Sequence, residues 1–106
     1  MNELISLWNI TEMGNFDKDY FNMEVQAYIK IGKKDSTFQF GLIKGEFYKE
    51  IKGRDNFLSE FDAIEMENGE TLSGTIQISL IDENSIEGEF EFNNGDDTTF
   101  KATKVF

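Results

Sequence analysis

The chain has 106 residues, enough for one compact core and too few for a catalytic domain with a second, regulatory one. Ten Lys and Arg against twenty-one Asp and Glu leave a net charge of −11, a field that repels nucleic-acid phosphates and anionic lipid headgroups. With no Cys and no His there can be no disulfide, no thiolate or imidazole metal site, and no catalysis by either side chain.

Residues 1–8 lack the basic region and long apolar core of a signal peptide, and no apolar run approaches the roughly 20 residues of a membrane helix. A cytoplasmic protein is expected, with no membrane partner. Residues 8–13 (WNITEM) read as a first strand with Trp8 and Ile10 on one side. Residues 14–22 (GNFDKDYFN) break the alternation and form a loop, with room for a single helical turn around Asp17 to Phe21. Met23, Val25, Ala27, Ile29 and Ile31 then alternate with Glu24, Gln26, Tyr28 and Lys30, predicting a long second strand.

Residues 32–36 form a loop of hairpin length. Phe38, Phe40 and Leu42 carry the next apolar face, and residues 37–51 are either one strongly bent strand or two strands split at Gly45. After a turn at 53–56, Phe57, Ser59, Phe61 and Ala63 share one side of a strand that ends near Met66. Asn68-Gly69 is a strong turn signal. The clearest pattern follows in residues 71–92. Ile76, Ile78 and Leu80 alternate with polar residues, and Ile86, Gly88, Phe90 and Phe92 alternate with Glu87, Glu89 and Glu91, around a turn at Asp82-Glu83-Asn84. Period two with one apolar and one polar face is the signature of a half-buried antiparallel hairpin. Residues 93–97 (NNGDD) turn the chain once more, and 98–106 is the last strand, with Phe100 and Ala102 inward.

These elements predict a single all-β domain over 1–106: an antiparallel up-and-down meander of seven to eight strands forming a small closed or nearly closed barrel. A two-sheet β-sandwich is the alternative. The absence of Pro to protect sheet edges, and glycines at 41, 45, 74 and 88 to permit sharp coiling, favour closure.

Several blocks resemble a family of small, uncharacterised bacterial proteins: Trp8-Asn9-Ile10-Thr11-Glu12-Met13, Asp19-Tyr20-Phe21, Phe38-Gln39-Phe40-Gly41, and Gly95-Asp96-Asp97-Thr98-Thr99-Phe100-Lys101-Ala102. Asn9 stands where that pattern usually has His and Phe16 where it has Trp, and residues 61–70 lack its Trp-Glu-Gly-Asn-Asp block. The resemblance implies a bacterial source and no particular activity.

Trp8, Glu12 and Tyr20 are the candidate ligand-binding residues. Glu12 has the parity of Trp8 and Ile10, so a straight strand points its carboxylate inward, where it must be hydrogen-bonded, paired or shifted in pKa. A strand that ends or bulges near Met13 leaves it at the rim instead, the more ordinary outcome. Asp17 and Asp19 could contribute oxygen ligands to a cation, but the loop lacks the Gly and distal Glu of an EF-hand, and a capped turn accounts for it. No metal or cofactor is expected. On the outer faces, Tyr28, Tyr48, Glu87, Glu89 and Glu91 are the candidate partner surface. The Glu row could steer a Lys- or Arg-rich protein, though a solvated face partly offset by Lys101 and Lys104 is the simpler account.

No nucleophile triad, P-loop or dinucleotide fingerprint is present. The first expectation is therefore a non-enzymatic binding or interaction domain. An acidic inhibitor or immunity-type protein that neutralises a basic enzyme is a second, and a small-ligand-binding barrel a third. A carboxylate enzyme built on Glu12 with Asp17 or Asp19 stands behind these. Phe38, Phe40, Phe90, Phe92 and Phe100 are bulky enough to fill a narrow barrel, which favours surface recognition, and exposed Tyr28 and Tyr48 would suit a homodimer.

Overall fold

The computed structural model describes residues 4–105. Eight strands follow one another: β1 (Ser6–Met13), β2 (Tyr28–Ile31), β3 (Thr37–Phe40), β4 (Ile43–Lys52), β5 (Asn56–Glu65), β6 (Glu70–Asp82), β7 (Ser85–Phe92) and β8 (Asp97–Lys104). One short helix, α1 (Lys18–Phe21), lies between β1 and β2. Each strand pairs antiparallel with the next, and β1 also pairs with β8, so the meander closes into a barrel. Closure gives every strand of the ring a neighbour on both sides, and the sandwich alternative does not arise.

Alternation places the core. Ile76, Ile78, Ile86, Phe90 and Phe92 of the β6–β7 hairpin are buried, and the polar residues between them face outward. Phenylalanines from five strands, β3, β4, β5, β7 and β8, meet inside. Phe38 lies 5.0 Å from both Phe47 and Phe90, Phe61 lies 5.2 Å from Phe38 and from Phe92, and Phe90 lies 5.2 Å from Phe100. Offset and edge-on rings at such separations pack favourably, so the interior is a connected stack of aromatic side chains. At Gly88, a Cβ would overlap the Gln77 carbonyl oxygen of the neighbouring strand. Only glycine allows β7 to coil this tightly against β6.

The loop between β1 and β2 covers one end of the barrel. Phe16 packs 5.4 Å from Phe40, Tyr20 stacks 5.2 Å from Phe16, and Phe21 is buried. Towards the other end, Glu50 accepts a hydrogen bond from the buried Ser36 hydroxyl at 2.8 Å and lies 3.4 Å from the Lys52 ammonium.

Two expected boundaries are corrected. The second strand is short: the Asn22 side chain accepts from the Ala27 amide at 2.8 Å, closing a loop that leaves Met23 and Val25 exposed. The division within residues 37–51 falls at Gly41-Leu42, not at Gly45. Gly41 has φ of +57°, a left-handed conformation suited to glycine, and Phe40 pairs directly with Ile43 across the turn.

Candidate functional site

The three candidate ligand residues occupy three different environments. Trp8 is fully buried in the wall, and its indole N–H donates to the Leu4 carbonyl at 3.0 Å. The Lys104 ammonium sits 5.6 Å from its ring centroid. Tyr20 is half-buried over the end of the barrel, where its ring occupies the space a Cβ on Gly41 would need. Its hydroxyl accepts from the Leu42 amide at 3.4 Å. Both aromatic side chains are used in holding the fold.

Glu12 does not follow the parity of Trp8 and Ile10. Ile10 pairs with Ala102 while Glu12 pairs with Lys101, so Thr11 is an extra residue bulged out of the β1–β8 ladder. One extra residue exchanges the two faces of the strand. Met13 therefore packs against the core, and Glu12 points outward to the Lys101 ammonium at 3.5 Å, with 68% of its side chain exposed. A hydrolytic site built on a buried Glu12 carboxylate loses its premise. Asp17 caps α1, its carboxylate accepting from the Tyr20 amide at 2.9 Å. Asn94 makes the equivalent local bond to the Asp96 amide at 2.9 Å. Among the described residues no group of three or more acidic side chains is disposed to hold a metal ion.

The outer wall is where exposed groups converge. Glu87, Glu89 and Glu91 alternate outward along β7, opposite Ser79, Gln77 and Thr75 of β6 and Lys101, Thr99 and Asp97 of β8. Among the described residues no ion pair reaches any of the three. Lys101 pairs with Glu12 instead, and Lys104 lies over Trp8. Two open depressions meet on this wall. One, of about 640 Å³, is lined by Glu12, Glu87, Gly88, Glu89, Thr99 and Lys101. The other, of about 310 Å³, lies between Ile51 and Leu58 on one side and Glu89 and Glu91 on the other.

The two tyrosines differ. Tyr28 is half-buried between Asn9 and Gln39 on neighbouring strands. Tyr48 is more exposed, opposite Glu60 on β5. Its phenol is held above the ordinary value of 10.0, first by partial loss of solvent and then by the negative charges of Asp62 and Glu60.

Two surface residues escape a sequence-only reading to different degrees. Leu58 is flanked by the inward Phe57 and Ser59, so its outward direction follows from alternation. Ile51 is outward only because Lys49, at φ of +53°, sits in a second bulge, between the Tyr48–Glu60 and Ile51–Leu58 pairs. No turn residue marks that bulge. Comparison supplies no template for the face so defined: no protein-family model, curated protein or solved structure matches the chain.

Proposed function

We propose that the chain is a non-enzymatic interaction domain that binds a basic protein partner through the outer face of β6, β7 and β8. One observation carries this reading: Glu87, Glu89 and Glu91 face outward together without a Lys or Arg in ion-pair range among the described residues, on a protein of net charge −11. Such a row attracts a basic surface over several ångströms and speeds productive encounter. The aromatic stack inside the barrel turns recognition towards the outside. Blocking a basic enzyme, as an inhibitor or immunity protein does, is the same geometry put to an occluding use.

The test is affinity capture from extracts of the source cell, with the wild-type protein and a Glu87→Gln/Glu89→Gln/Glu91→Gln variant run side by side. A basic protein should be retained by the wild type at low ionic strength. It should be released as salt shortens the screening length from about 10 Å at 0.1 M towards about 3 Å at 1 M. The neutralised variant, folded as judged by its thermal transition, should not retain it. Equal retention by both proteins, or retention indifferent to salt, overturns the proposal.

A further inference from the structure

We infer that the partner is anchored by an amphipathic helix laid across the strands, with an apolar side chain seated on Ile51 and Leu58 and Lys or Arg reaching Glu89 and Glu91. This rests on the acidic-face reading above and adds where and how the contact is made. The Lys49 bulge is the structural origin of the anchor. Lys49 and Glu50 together oppose the single residue Ser59, which turns Ile51 outward beside Leu58 and leaves Ile51 65% and Leu58 46% exposed. Two large aliphatic side chains in register on adjacent strands make a raised apolar pair beside the depression they share with Glu89 and Glu91.

Register then sets the spacing. Ile51, Leu58, Gln77 and Glu89 are successive partners across β4, β5, β6 and β7, so the wall runs from apolar through neutral to acidic along one row. Strands lie roughly 4.8 Å apart, which puts Leu58 and Glu89 roughly 10 Å apart along that row. Seven residues of α-helix rise about 10.5 Å, so a Leu or Ile with Lys or Arg two turns away matches it.

Leu58, Gln77 and Glu89 lie on strands whose ladders are complete on both sides at those positions, so a partner on this face docks through side chains and not as an added strand. A second copy of this chain fits poorly, because it would bring another −11 against the same carboxylates. Glu60 is already engaged with Lys49 at 3.6 Å, which leaves Glu89 and Glu91 as the carboxylates for an incoming cation.

The experiment uses a synthetic helical peptide carrying a Leu pair and, seven residues on, an Arg pair, titrated into the intact protein by calorimetry at low salt. The wild type should bind it. Ile51→Ser/Leu58→Ser should weaken binding by at least about tenfold, and Glu89→Gln/Glu91→Gln should weaken it and flatten its salt dependence. If the Gln variant weakens binding and the Ser variant does not, the anchor is overturned and the acidic face stands. If the wild type does not bind the peptide, the anchor fails, and if the Gln variant also captures a basic protein as the wild type does, the acidic face fails as well. Concentration-dependent sedimentation of the wild type that the Ser variant abolishes would make the patch a self-association surface, which also overturns the inference.

Discussion

Glu12 and Lys101 face each other across the seam that closes the barrel, the carboxylate 3.5 Å from the ammonium, because the extra residue Thr11 has moved Glu12 to the outer face. Both side chains are well exposed, with 68% and 63% of their surface in solvent. Exposed pairs of this kind contribute little. Glu12→Gln should therefore change the free energy of unfolding by less than about 0.5 kcal/mol in urea titration. A loss several times larger would place the carboxylate in the interior after all.

The aromatic stack gives the opposite expectation. Phe90 lies 5.0 Å from Phe38 and 5.2 Å from both Phe40 and Phe100, and is fully buried. Phe90→Ala removes the ring that joins them and should cost about 3–5 kcal/mol, read from the denaturation midpoint at unchanged slope. A cost below about 1 kcal/mol would mean that the interior is loosely filled.

Two glycine substitutions should separate steric from conformational demand. At Gly88 the obstacle to a Cβ is the Gln77 carbonyl, which is backbone and part of the β6–β7 ladder, whereas at Gly69 nothing lies within 4 Å and the only demand is φ of +73°. Gly69→Ala should cost about 1–2 kcal/mol, and Gly88→Ala should cost more, because two strands must separate. The reverse order in thermal unfolding would contradict the tight coiling of β7.

Tyr48 offers a check on the charge of the outer wall. Its phenol should titrate above 10.0 in an absorbance or NMR pH titration, and Asp62→Asn should bring it back towards that value. A folded-state pKa raised above the unfolded one means that the folded protein holds this proton more tightly. The associated stability is complete below pH about 10 and is lost as pH rises through the raised value. Titration below 10.0, or no response to Asp62→Asn, would contradict the arrangement.

Alternation alone assigns the two faces of β6 and β7, because a strand with one buried face repeats its side chains every two residues. Phe57, Ser59, Phe61 and Ala63 of β5 follow the same rule, all of them buried. What alternation does not carry is a change of phase. Thr11 and Lys49 each mark an insertion of one residue relative to the partner strand, and neither is a residue type that announces it. Glu12 and Ile51 therefore lie on faces that parity from their strand's start does not give. Residues 23–26 show the converse failure: their alternation is regular, but the Asn22 side chain takes the Ala27 amide and the segment stays outside the sheet. The outward row of exposed Glu87, half-buried Glu89 and exposed Glu91 was legible because β7 carries no insertion between them.

The β1–β8 seam also orders events in time. Seven of the eight strand pairings join consecutive strands, but the eighth joins residues about ninety positions apart, as in the hydrogen bond from the Thr11 hydroxyl to the Lys101 carbonyl. A growing chain can zip its hairpins one after another, yet it holds an open curl with two bare edges until β8 is made. Long-range pairing is slow because the loop it closes must first lose its freedom. Throughout that interval Phe-rich strands stand beside unpaired backbone, the combination most prone to sticking to other chains. Copies that each carry a net charge of −11 repel one another during that interval.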